Sequence, residues 1–165
     1  MQIRPERPAD AEAIHTLTVA AFQTVPYGDG SEGRVIDTLR ANNALTLSLV
    51  AEEEGEIIGQ VTFSPVTIDS QEGPWLCLGP VAVEPDRHSE GIGAALIREG
   101  LAQIAADGCE LCVLLGNPSY YRRFGFEHDQ ALFCGEGQPE AFQYLALSGE
   151  APRGKVAFHP AFAVE

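Results

Sequence analysis

The sequence predicts one mixed α/β domain, on three observations. The run Val81-Ala82-Val83 ends at Pro85, a polar loop follows, and Gly91 opens an amphipathic helix that stops at Gly108, directly before a second apolar run. Strand, helix and strand in that order imply a parallel pair with its crossover. Two further apolar runs flank Glu53-Glu54-Gly55, a hairpin signature. Ahead of Asn42 the apolar residues recur at helical spacing. A chain of 165 residues suits one domain able to bury a core, and 45% hydrophobic content is that of a globular protein.

Each element has its own warrant. Gln2-Ile3-Arg4-Pro5 reads as a short first strand. Pro8-Ala9-Asp10 starts a helix carrying Ile14, Leu17, Thr18, Ala21 and Phe22 on one face, with Asp10 and Glu12 near its positive end. Tyr27-Gly28-Asp29-Gly30-Ser31 is a loop, and Ser31 caps a second helix through Val35, Ile36 and Leu39. Leu45 to Glu52 and Glu56 to Pro65 are the strands of the hairpin, and Trp75 to Val83 is a strand broken by Gly79-Pro80. The helix opened by Gly91 carries Ala94, Ile97, Leu101, Ile104 and Ala105 on one face. Cys109 to Leu115 is the next strand, residues 117–124 hold a short helix, and strand-like runs at 142–147 and 156–158 complete the sheet.

Ten Lys and Arg against 24 Asp and Glu give a formal net charge of −14. That field repels nucleic acid and anionic membrane surfaces and draws in a cationic amine. Arg87, Arg98, Arg122 and Arg123 are a local exception, because they lie in or beside the two segments that suit a phosphorylated ligand. The N-terminal residues lack the apolar core of a signal peptide, and no apolar run approaches bilayer length, which predicts a cytoplasmic protein. Cys109 and Cys112 have C-x-x-C spacing, but on a strand their sulfurs would point to opposite faces, and no partner pair or suitably spaced His exists. Buried, reduced thiols and no metal are expected.

The loop before the long helix carries the most chemistry. Unpaired N–H groups and the positive helix end suit a phosphate, and Gly91 and Gly93 let it approach without a Cβ in the way. A Rossmann fingerprint needs a third Gly where Leu96 stands and a strand directly before the first. Gly149 to Lys155 resembles a phosphate loop only until Val156, where Ser or Thr is required.

His88-Ser89-Glu90-Gly91-Ile92-Gly93 after a Val-rich strand resembles motif A of the GCN5-related N-acetyltransferases (GNAT), Gln/Arg-x-x-Gly-x-Gly/Ala. Asn117 through Phe126 resembles motif B, with Tyr121-x-x-x-Gly125-Phe126 in the usual spacing. Residues 115–121 and 157–162 are further similar to the YhbS-like branch of that superfamily. The resemblance implies a single GNAT domain over residues 1–165, with a mixed central sheet flanked by helices on both faces. It implies acetyl-CoA as cosubstrate, an amine acceptor, transferase activity without a metal, and homodimerisation as an open possibility.

Residue by residue, it implies that the main chain of Val81, Ala82 and Val83 orients the pantetheine arm. The loop His88, Ser89, Glu90, Gly91, Ile92, Gly93 and Ala94 would hold the pyrophosphate. Asn117 would bond the pantetheine or cap its own helix. Tyr121 is the expected acid for the leaving thiolate, since a phenol near pKa 10 can protonate a thiolate whose parent is near 8.5. Tyr120 is the alternative, and either ring could simply pack. Glu32 is the expected general base, with His88, Glu84 and a water chain as alternatives, while His15, His128 and His159 form no constellation. Two positions depart from the family pattern. His88 replaces Gln or Arg, and Glu90 sets an anion beside the pyrophosphate, at a cost on the order of 1 kcal/mol. A catalytically weak module that only binds or senses acyl-CoA is therefore the second functional expectation.

Overall fold

In a computed structural model the described residues are 1–23, 32–134 and 141–163. The expected cap Ser31 lies outside them. The elements run β1 (Gln2–Pro5), α1 (Ala11–Phe22), α2 (Glu32–Ala41), β2 (Leu47–Glu53), β3 (Glu56–Ile68), β4 (Gln71–Val83), α3 (Ile92–Ala106), β5 (Leu111–Leu115), α4 (Pro118–Tyr121), β6 (Leu132–Phe133), β7 (Phe142–Ala146) and β8 (Gly154–Ala157). The sheet order is β1-β2-β3-β4-β5-β7. Neighbours are antiparallel except β4 and β5, the parallel pair that α3 connects. β8 adds to the far end of β3 at Thr67 and Ile68 and pairs β6 on its other side.

Strand alternation sorts the core into two faces. Leu49, Ala51, Val61, Phe63, Leu76, Leu78, Cys112 and Leu114 turn toward α3 and pack on Ile92, Leu96, Ile97, Leu101 and Ile104. Gly100 allows close approach there, since a Cβ on it would clash with the edge of the Phe63 ring. On the opposite face Val50 meets Ile14 and Ile36, and Ala82 meets Leu17 and Ala21, so α1 and α2 cover that side. Beyond them the same face buries Cys77, Leu111, Val113 and Phe142 under Leu132 and Val156. The expected mixed sheet with helices on both faces is what forms.

The differences from expectation are local. Glu53 pairs directly with Glu56, leaving a two-residue turn at Glu54-Gly55. A second hairpin joins β3 to β4 through Asp69 and Ser70, both at positive φ, and extends these strands past Pro65 and before Trp75. Pro65 reads as a strand end, but the ladder shifts register just after it, and a bulge tolerates the missing donor. Cys109 precedes β5 rather than belonging to it, so strand parity does not separate its sulfur from that of Cys112; both join the α3-side core. All four thiols are free, and burial pushes each above its ordinary pKa. Among the described residues, no helix is long and apolar enough to cross a membrane.

Candidate active site

The sheet splits between β4 and β5. They pair only at Trp75–Leu111, Leu76–Cys112 and Cys77–Val113. Past that point β4 stays with β3 as far as Val83, while β5 stays with β7 as far as Leu115. A bulge lies at the point of divergence. Val61 pairs with Val81 and Phe63 with Leu78, so β4 holds one residue more than β3 across Gly79-Pro80. The Pro80 carbonyl accepts from Thr62 Oγ1 at 3.0 Å and from Gln60 Nε2 at 3.3 Å. The extra residue also inverts the pleat: Leu76 and Leu78 face α3 before it, Val81 and Val83 after it. Gly79, Pro80, Val81 and Val83 are half-exposed although β4 is central in the sheet.

The open end of this cleft meets the start of α3. Gly91 caps the helix at φ 82°, with no side-chain cap bond. The first ladder bond runs from Ala95 N to Gly91 O at 3.0 Å, so the N–H groups of Ile92, Gly93 and Ala94 precede it. A Cβ on Gly93 would stand 3.5 Å from Val83 Cγ2 and 3.7 Å from the Tyr120 hydroxyl. β4, α3 and α4 therefore converge at Gly93.

The two departures in the loop have structural answers. Arg87 Nε lies 2.9 Å from both Glu90 carboxylate oxygens, and its Nη2 reaches Glu53 at 3.1 Å. The Glu90 anion is held by a cation at the side of the loop. His88 Nε2 lies 3.1 Å from Val83 O, tying the loop to the end of β4.

The sequence profile of the family described as "Acetyltransferase (GNAT) domain" matches residues 2–128. The chain belongs to the GNAT acetyltransferases. It is 35% identical over 158 residues to the N-acetyltransferase YhbS of Escherichia coli K12, covering 93% of this chain and 92% of that one. A GNAT family acetyltransferase from Brucella melitensis, solved in complex with acetyl-CoA, is 51% identical with a TM-score of 0.88, covering 98% of this chain and 97% of that one. E. coli YhbS in complex with CoA superposes at a TM-score of 0.91 with 34% identity, covering 99% of this chain and 92% of that one.

Within this GNAT fold Tyr121 lies on the α3 face, its ring against Gly116, where a Cβ would meet Cδ2 at 3.1 Å. It stacks edge-on with Tyr120 at 5.0 Å and Phe126 at 6.0 Å between centroids. Arg123 covers the other ring, 4.2 Å from the Tyr120 centroid. Asn117 caps α4, its Oδ1 accepting from Ser119 N at 2.9 Å. Glu32 begins α2, half-buried, where Gly33 packs on His15 and Val19 of α1. That layer covers the face opposite α3, so Glu32 and Tyr121 stand on opposite sides of the sheet. Sequence reasoning passed over Gln60 and Thr62, and it gave the Tyr120 hydroxyl no place at Gly93. Their signal was present: Gln60, Thr62 and Ser64 alternate with Val61 and Phe63, yet the strand is covered on both faces.

Proposed function

We propose that this chain transfers the acetyl group of acetyl-CoA directly to a primary amine of a small molecule or a protein, with residues 1–165 acting as one domain. The observation that carries the reading is the unpaired stretch of β4 beside the uncapped N-terminus of α3. A thioester arm and a pyrophosphate need these two features side by side. The residues present fit that ligand: the Val81-Ala82-Val83 main chain is released from β5, and the face of Gly93 toward Val83 and Tyr120 carries no Cβ.

Acetyl-CoA supplies an activated acyl group with a thiolate leaving group. The chain orients it through the main chain of Val81, Ala82 and Val83, and holds its pyrophosphate on the N–H groups of the loop from His88 to Ala94. Asn117 fixes α4 so that Tyr121 faces the leaving sulfur. Once its ammonium form has lost a proton to solvent, the amine nitrogen adds to the acetyl carbon and the C–S bond breaks; Tyr121 donates its proton to the sulfur, and Glu32 takes the second proton lost by the nitrogen. Placement of Glu32 and Tyr121 on opposite faces is compatible with this division, in which the amine and the leaving sulfur are served by different groups. The net charge of −14 favours an acceptor that arrives as a cation.

Free-thiol release with acetyl-CoA and a panel of polyamines, amino sugars, amino acids and lysine peptides tests the reading. Turnover with an amine above the hydrolysis rate is expected; folded protein that does not bind acetyl-CoA below millimolar concentration refutes it. kcat/KM for the best amine should fall with salt, as the screening length shrinks from about 10 Å at 0.1 M to about 3 Å at 1 M. A module that only senses acyl-CoA would bind without turnover. The Arg87 clamp on Glu90 removes the main sequence argument for that alternative.

A further inference from the structure

Gln60, Thr62 and Ser64 occupy alternate positions of β3, turned toward the α1 face, and all three are 0% exposed. Apolar side chains there would be buried without desolvating an amide or a hydroxyl. Gln60 and Thr62 converge on one atom, the Pro80 carbonyl, with Gln60 Nε2 also 3.5 Å from Thr18 Oγ1 of α1. Meanwhile Gln60 Oε1 and Ser64 Oγ have no hydrogen-bond partner among the described residues. The cluster is organised around Pro80 rather than around its own satisfaction.

Pro80 sits in the bulge, where β4 carries its extra residue opposite Thr62. Here its carbonyl takes both side-chain donors from β3. Without them, removing the bulge would restore a regular β3–β4 ladder. That would slide Val81–Val83 by one residue, and a one-residue slip turns every side chain to the other face. It would also remove the irregularity that parts β4 from β5.

We infer that Gln60 and Thr62 are positioning residues for the acyl donor: by holding the Pro80 carbonyl they fix the bulge that presents the main chain of Val81, Ala82 and Val83. The inference rests on the reading that this cleft takes acetyl-CoA.

The test compares Thr62→Val, Thr62→Ser, Gln60→Leu and Ser64→Ala in the full chain, with acetyl-CoA titrated by calorimetry and kcat and KM measured for both substrates. Thr62→Val and Gln60→Leu should each weaken acetyl-CoA binding or lower kcat by about fivefold or more, the equivalent of one net hydrogen bond, with the amine KM unchanged. Thr62→Ser keeps the donor and should retain activity. Ser64→Ala alters an equally buried hydroxyl that does not touch Pro80, and should leave both substrates unaffected. Should Thr62→Val not fold, Gln60→Leu carries the same comparison. Unaltered kinetics in Thr62→Val and Gln60→Leu overturn the inference, as does Ser64→Ala impaired to the same degree. Wild-type protein that does not bind acetyl-CoA overturns the reading of the cleft and this inference with it; wild-type binding with unaltered variants overturns this inference alone.

Discussion

Replacing Gly91 by alanine puts a Cβ on a residue at φ 82° and ψ 8°. An L side chain in that left-handed region costs about 1–2 kcal/mol. Nothing lies within 4 Å of the added atom, so the cost is conformational and no neighbour can relieve it. If the loop keeps its shape, the folded protein carries the strain, and Tm falls by about 2–8 °C at 2–4 °C per kcal/mol for a chain of this size. If the free protein relaxes instead, the N–H groups of Ile92, Gly93 and Ala94 turn from the cleft, and each 1.4 kcal/mol appears as a tenfold loss of acetyl-CoA affinity. The liganded state requires the loop in either case. At saturating acetyl-CoA the whole 1–2 kcal/mol should therefore appear in Tm, while calorimetry reports how it divides in the free protein. Gly91→Asn should recover much of the loss, because Asn enters the left-handed region more readily. Gly91→Ala within 1 °C of wild type with and without ligand, at unchanged Kd, would refute the reasoning, as would Asn behaving no better than Ala.

Three other outcomes are expected. Tyr121→Phe should lower kcat by roughly 10²-fold or more, the usual scale for a lost general acid, with the calorimetric Kd for acetyl-CoA little changed; equal kcat removes Tyr121 from the chemistry. Glu90→Gln should alter the KM for acetyl-CoA less than about threefold, within the range of an exposed ion pair, because its charge is already held by Arg87, whereas Arg87→Ala exposes Glu53 and Glu90 beside the loop and should weaken binding more. Asp10 accepts from Arg4 Nη1 at 2.8 Å and from Arg7 N at 2.7 Å, and the Arg4 bond chiefly holds its pKa below the ordinary carboxylate value. A depressed carboxylate stabilises at neutral pH and loses that contribution as pH falls through its folded pKa. Asp10→Asn should thus cost about 2 kcal/mol at pH 7, and its gap with wild type should close as pH falls below the ordinary carboxylate range, checked by Tm against pH; a gap that persists undiminished into acid contradicts the assignment.

Much of the frame was legible because it follows from periodicity and punctuation. α3 shows its apolar face at helical spacing, and the Glu54-Gly55 turn carries its own signature. Asp69-Ser70 turns the chain as tightly but without a glycine, so the second hairpin and the true lengths of β3 and β4 were not visible. The Gly79-Pro80 break read from the sequence lies just beyond Cys77–Val113, the last pairing of β4 with β5. What the sequence could not show was side-chain direction. Glu90 reads as an anion facing the ligand until the bidentate contact with Arg87 is seen. Gln60 and Thr62 drew no reading from the sequence, and only the structure shows them buried on the α1 side of β3.

The charge distribution in the fold gives the acidic composition a more specific meaning. Of the arginines, Arg4, Arg40 and Arg87 bind carboxylates and serve the frame. Arg98, Arg122 and Arg123 have no carboxylate within 4 Å among the described residues, and two of them lie over aromatic rings of the 120–124 segment, Arg98 at 5.1 Å from Phe124 and Arg123 at 4.2 Å from Tyr120. Stacking keeps a guanidinium in place without neutralising it. The unpaired cations of this region are thus on α3 and beside α4, on the same face as Tyr121, while the protein as a whole carries −14. A polyphosphorylated donor and a cationic acceptor experience opposite forces in such a field. We propose that the phosphates of the donor are favoured beside α3 and α4, while a cationic acceptor is favoured by the acidic surface elsewhere. On that reading one acidic chain attracts two substrates of opposite charge through different parts of its surface.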